Sequence, residues 1–366
     1  MFDRLPEYPW QKLKPFREIA AKHSLGAIDL SVGNPIDPTP RVVQDALDAA
    51  SDSHSYPTTW GEIETRAAIA NWYSGRRRVP GLTTEQVLPT IGSKEFISWL
   101  PLMLGLGAGD VMVQPRIAYT AYEVGAAFAG CELVSSDEPA DWPENTKLIW
   151  INSPGNPSGE VLAVSKLKAA VMRARELGAV IVNDECYAEL GWVGEWDEFI
   201  PCILDPRVTE GDNTNILSIY SLSKQSNLAG YRAALAAGDG DLIAGIVNLR
   251  MHSGMMVPTP VQRAMVAALG DYSHVAAQKE IYRKRRETLL PALIAAGFSI
   301  SSSEAGLYLW VTKGESCWKT IADLAEIGIV AVPGDFYGVA GNDYVRFSIT
   351  ATDDQIFRAV SRLGML

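Results

Sequence analysis

The chain has 366 residues, is 47% hydrophobic and 20% charged, and carries a formal net charge of −11. This is globular composition with ample material for a large core, and the length suggests two domains or one large domain with an appendage. The acidic balance argues against a nucleic-acid surface, because the basic runs at 76–78 and 283–286 are short and flanked by acidic sequence.

The opening MFDRLPEYPWQKLKPF lacks the apolar centre of a secretory leader. The first 40 residues are proline-rich and are expected to wrap around another part of the molecule. Short apolar runs predict strands at 87–91, 111–114, 132–135, 148–152, 180–183, 216–220 and 233–236. Helical patterns at 94–104, 118–129 and 164–177 fall between them, the last stopped by Gly178. Strands that are apolar throughout and alternate with helices describe an α/β fold, with a mostly parallel mixed sheet covered on both faces. Beyond about residue 240 the pattern changes. A helix over 272–296 ends at Gly297 and leads to short strands near 306–311 and 344–349, as in a smaller α+β domain. The expected division is a large domain over 41–245 and a small one built from 1–40 and 246–366.

The most apolar stretch, 96–109, is broken by Ser98 and Pro101 and is shorter than the roughly 20 residues a membrane span needs. The four cysteines are widely spaced without a CxxC pair, which disfavours a zinc site or a disulfide framework and fits a reducing, cytoplasmic setting.

In a parallel sheet, ligands gather where the strands' carboxyl ends meet loops. After 87–91, Gly92-Ser93-Lys94-Glu95 opens a helix whose free N–H groups form an anion nest, although an ordinary serine cap accounts for the same residues. After 111–114, QPRIAYTAYE offers Tyr119 and Tyr122, and core packing accounts for Tyr122. After 148–152, the turn SPGNPSG holds Asn156 as a rigid amide. Asp184 closes the apolar run 180–183 and begins DECY; a carboxylate there is costly unless something cationic or hydrogen-bonding meets it. The histidines are scattered, so an organic cation suits Asp184 better than a metal. After 216–220 come Ser221, Ser223 and Lys224, with Arg232 eight residues on. No GxxxxGK[ST] motif is present, and the glycines at 105, 107 and 109 precede a strand, so no nucleotide fingerprint is read.

Singly these features are weak. Together they are the parts needed to hold pyridoxal 5′-phosphate: N–H groups, hydroxyls and a cation for its phosphate, a flat partner for the ring, a carboxylate for its nitrogen and a lysine for its aldehyde.

From about residue 30 to 346 the chain resembles the class I/II aminotransferases, fold-type I pyridoxal-phosphate enzymes, in the order and spacing of GSKE, the aromatic, NPSG, DECY and SLSK with Arg232. The resemblance implies that Lys224 is the Schiff-base lysine and proton shuttle, that Asp184 pairs with the pyridinium nitrogen, and that Tyr187 and Asn156 hold the phenolic oxygen. It implies that Tyr119 stacks on the ring and that Gly92, Ser93, Lys94, Ser221, Ser223 and Arg232 surround the phosphate. Tyr56, in SYPTTWG, would reach the phosphate of a neighbouring subunit, implying a homodimer with shared sites. Arg346, in YVRFSIT, would clamp a substrate α-carboxylate, with the Gly33 backbone nearby. The opening PEYPWQKL with IDLSVGNPIDPTP is similar to actinobacterial N-succinyldiaminopimelate aminotransferases, which implies glutamate/2-oxoglutarate and N-succinyl-LL-2,6-diaminopimelate as substrates in lysine biosynthesis. Arg116 is the candidate cation for the distal carboxylate. The alternatives are a pyridoxal-phosphate C–S β-lyase, an aminotransferase of other specificity, and a non-catalytic cofactor-binding regulator.

Overall fold

The computed structural model describes residues 5–6 and 9–366; residues 1–4, 7 and 8, and with them part of PEYPWQKL, lie outside the described residues. A short strand β1 (Ile28–Asp29) precedes a seven-stranded sheet made of β2 (Val87–Ile91), β3 (Val111–Gln114), β4 (Glu132–Ser135), β5 (Thr146–Asn152), β6 (Val180–Asp184), β7 (Ile216–Ser221) and β8 (Ala233–Gly238). The spatial order is β2-β8-β7-β6-β5-β3-β4, and only β8 runs against its neighbours. Pro89 is tolerated because β2 is an edge strand, where a missing N–H leaves no ladder bond unmade.

Both faces of the sheet are covered. Phe96, Tyr122 and Ile243, on helices Ser93–Met103, Ala121–Ala129 and Gly240–Ser253, pack over Met112, Leu148 and Val182. Leu167 and Val171, on helix Val164–Leu177, and Ile69 and Tyr73, on helix Ile63–Arg76, pack over Ile149 and Ile181. Strands buried on both sides therefore read as unbroken apolar runs.

The C-terminal part adds β9 (Ser299–Ile300), β10 (Tyr308–Thr312), β11 (Ile329–Val330), β12 (Val332–Pro333) and β13 (Tyr344–Ser348). Four of these form a sheet ordered β12-β13-β10-β9, while β11 pairs in parallel with β1 and ties the start of the chain to this region. Leu309 and Phe347 pack there against Leu289 and Leu293 of the helix Ser273–Ala295.

The expected helix over 118–129 begins only at Ala121. The Ala118 N–H donates instead to the Tyr337 carbonyl at 2.9 Å, and this long-range bond holds Tyr119 out of the helix. No helix among the described residues is long and apolar enough to cross a membrane.

Candidate active site

Asp184 ends β6 with its backbone paired between Asn152 of β5 and Ile219 of β7, which carries its carboxylate to the sheet's carboxyl edge. The side chain is 5% exposed. Tyr122 Oη donates to Oδ2 at 3.1 Å, and the Cys186 N–H donates to Oδ1 at 3.2 Å. Burial nevertheless pushes the Asp184 pKa above the ordinary carboxylate value. An acid in that state gains from a cationic partner.

Lys224 lies in the single turn Leu222–Gln225 after β7, where Ser221 Oγ caps the Ser223 N–H at 3.2 Å. Its Nζ donates to the Gly33 carbonyl. Burial, with the charges of Arg346 and Arg232 adding to it, pushes the lysine pKa down.

Arg346, from β13, is 4% exposed. It donates through Nη1 to Asn156 Oδ1 at 2.9 Å and through Nη2 to the Ser31 carbonyl at 2.7 Å. Its Nε is buried without a partner among the described residues. Asn156 is fixed in turn: its N–H donates to Asn152 Oδ1 at 2.8 Å, and Asn152 Nδ2 donates to the Asp184 carbonyl at 2.9 Å.

Tyr308 connects these groups. Its ring centroid lies 3.8 Å from Arg346 Cζ, and its hydroxyl accepts from Tyr187 Oη at 3.3 Å. Gly33 must be glycine here, since a β-carbon would lie 2.6 Å from Tyr308 Cζ. Burial alone would raise the Tyr308 pKa, yet the Arg346 and Lys224 charges outweigh it and leave the phenol below its usual value. Burial raises Tyr187.

At the far side, Ser93 and Lys94 begin the helix Ser93–Met103, whose first N–H groups and dipole favour an anion. Arg232, in the left-handed region with φ 57°, reaches across the Gly92 backbone, while its Nη1 donates to the Ala229 carbonyl at 2.8 Å.

These groups enclose a cavity of about 350 Å³. Gly33, Ser93, Lys94, Tyr119, Asn156 and Asp184 line it, together with Tyr187, Ser221, Ser223, Lys224, Arg232 and Arg346. Gly92 abuts the Arg232 guanidinium. Like Gly92, two further residues of the expected set are not among those that line the cavity. Tyr56 is 94% exposed, and Arg116 is a surface residue whose N–H donates to Asp137 Oδ1 at 3.0 Å. Tyr308, Trp10, Phe336 and Tyr337 also line the cavity, and sequence reasoning passed them over. Tyr122 was read as core; it is buried and stacked on Trp150, and its hydroxyl additionally supports Asp184. No spacing rule marks these residues.

A buried acid in want of a cation, an amine biased toward its neutral form, an orphaned guanidinium N–H and a cationic corner at a helix N-terminus fit pyridoxal phosphate and an amino acid together. Such a set of groups suits an α/β enzyme that works on amino groups through a phosphorylated aldehyde. The chain belongs to the class I and II aminotransferases: residues 26–363 match the family model described as "Aminotransferase class I and II". It is 48% identical over 362 residues to the 4-dedimethylamino-4-oxo-anhydrotetracycline transaminase OxyQ of Streptomyces rimosus, covering 98% of this chain and 99% of that one. It is 46% identical over 360 residues to "Probable aminotransferase Rv1178" of Mycobacterium tuberculosis, covering 98% and 85%. An aminotransferase structure from Neisseria meningitidis superposes with a TM-score of 0.91 at 29% identity, covering 99% and 98%. The protein is a transaminase of fold type I, and this family uses pyridoxal phosphate.

Proposed function

We propose that this aminotransferase exchanges an amino group between glutamate/2-oxoglutarate and a second amino compound whose distal part rests on an aromatic wall. The observation that carries the reading is the convergence of Asp184, Lys224 and Arg346 on one cavity whose remaining wall includes Trp10, Phe336 and Tyr337.

When bound, pyridoxal phosphate supplies an electron-withdrawing ring that accepts the charge left at Cα as its proton departs. Lys224 would anchor the cofactor through Nζ; once that amine is free, its lowered pKa suits it to take the Cα proton and return it as general base and acid. Asp184 would hold the ring nitrogen in its protonated form by opposite charge. Tyr187 and Asn156 would hold the phenolic oxygen, Tyr119 would lie on the ring, and Ser93, Lys94, Ser221, Ser223 and Arg232 would meet the phosphate. Arg346 retains its Nε–H for the substrate carboxylate, which a guanidinium grips in a two-point fork. That grip orients the bond to be broken.

N-succinyl-LL-2,6-diaminopimelate is the second reading, supported by the likeness of the N-terminal segment. It requires a cation for a distal carboxylate. Besides Arg346, the cations that line the cavity among the described residues are Lys94, Lys224 and Arg232, all claimed by the cofactor in this scheme, and Arg116 stands outside. A bulky ring system suits the aromatic wall better, and the 48% relative is named for a polycyclic ketone. We also propose a homodimer in which Tyr56, exposed on its own chain, serves the phosphate of the neighbouring site.

The test is a panel of amino donors scored by glutamate formed from 2-oxoglutarate. It includes N-succinyl-diaminopimelate, aromatic amino acids and an amino-bearing polycycle. Preference for the ring-bearing donors supports the first reading, and preference for the succinylated dicarboxylate overturns it. Borohydride reduction of the holoenzyme should fix the cofactor's mass on the peptide containing Lys224; a label elsewhere refutes the anchoring role.

A further inference from the structure

A second cavity, of about 450 Å³, shares no lining residue with the catalytic one. It lies beyond the carboxyl ends of β3 and β5, which are neighbours in the sheet. The helix that leaves β3 packs on one face of the sheet and the helix that leaves β5 packs on the other. Adjacent strands whose connections diverge in this way leave a crevice between them, and such crevices are where α/β sheets take ligands. The volume falls within the usual range of about 300–1,000 Å³ for small-molecule sites.

The walls specify a chemistry. Trp142 and Trp150 line the cavity and are 5% and 1% exposed. Among the described residues, the charged ones that line it are Asp137, Glu138 and Glu160 together with the cation Lys166, which lies 3.6 Å from Glu160. An aromatic lining combined with an excess of carboxylates attracts a cation that carries an apolar body, through both ring quadrupole and charge.

We propose that this crevice is a second, non-catalytic binding site for a small organic cation with an aromatic or apolar body. An occupant would press on the loop that serves the catalytic cavity. Asn152, Gly155 and Ser158 line the crevice, and Asn152 is the residue that holds the Asn156 N–H and the Asp184 carbonyl. A β-carbon on Gly155 would lie 2.5 Å from Ser158 Oγ, so the loop has little room to yield there. The site does not depend on which amino donor the enzyme uses.

Benzyltrimethylammonium is a suitable probe, because it has no N–H to react in the catalytic cavity. Titration calorimetry on borohydride-reduced holoenzyme, in which the cofactor stays fixed in its own site, should show one saturable site per chain. Trp142→Ala, and Glu138→Gln combined with Glu160→Gln, should each weaken binding at least about tenfold. Both variants should retain the wild-type far-ultraviolet circular dichroism and a cooperative unfolding transition. Crystals of wild-type holoenzyme soaked in the probe give a readout independent of any variant, with density expected between Trp142 and Glu160. The proposal is overturned if the wild type takes up no probe, if both variants bind as tightly as the wild type, if benzyl alcohol binds equally well, or if density appears only elsewhere.

Discussion

Replacing Gly92 by alanine tests the phosphate corner through a single β-carbon. Gly92 has φ 77° and ψ 153°, a backbone region essentially confined to glycine. Forcing alanine into it costs about 1–3 kcal/mol, which should appear as lost stability in urea unfolding of the cofactor-free protein. The new β-carbon would also lie 2.5 Å from Arg232 Cζ, a separation no real pair of carbons sustains, so the guanidinium must swing away. A charge-assisted hydrogen bond to phosphate contributes about 1.5–3 kcal/mol, so reconstitution of the apoenzyme should require about 10–150-fold more pyridoxal phosphate. Arg232→Ala alone should weaken reconstitution by a similar factor. If the glycine acts through the arginine, the double variant should bind cofactor little worse than Arg232→Ala, while the stability loss from backbone strain persists in both backgrounds. Fully additive losses of cofactor affinity, or wild-type reconstitution in Gly92→Ala, would refute the reasoning.

Three further outcomes are expected. Arg77 is 1% exposed and pairs with the fully buried Glu185 at 2.8 Å, directly beside Asp184; Arg77→Ala should cost about 3–5 kcal/mol in urea unfolding, and an unchanged midpoint would contradict this. Because burial lowers the Lys224 pKa, the neutral amine should already dominate at a pH below the ordinary lysine value of about 10.4, so that amine-directed labelling of Lys224 in apoenzyme rises with pH to a lower midpoint than surface lysines show. A midpoint at or above theirs would contradict it. Mixing inactive Tyr56→Phe and Lys224→Ala subunits should restore part of the activity if the exposed Tyr56 serves a neighbour's site, and the absence of any rescue would count against the shared site.

The sheet and its strand ends could be read from the chain because the signal is local. β5, β6 and β7 are buried on both faces, so their runs are unbroken, and Asn156, Asp184 and Lys224 follow those runs within a few residues. A polar residue that interrupts such a run carries its own cost, which draws attention to it. Position along the chain does not reveal which distant segments come together. Tyr308 and Arg346 face one another because β10 and β13 pair antiparallel, and Lys224 meets the Gly33 carbonyl from 191 residues away. Trp10, Phe336 and Tyr337 have no periodicity that separates them from core aromatics, and Arg116 looked available until its surroundings were known. The sequence by itself determined the succession of buried strands and the chemical groups at their ends, since burial leaves its mark in every residue of a run. Only the tertiary structure decided which of those groups share one cavity, because that depends on pairings between segments whose separation no local pattern encodes.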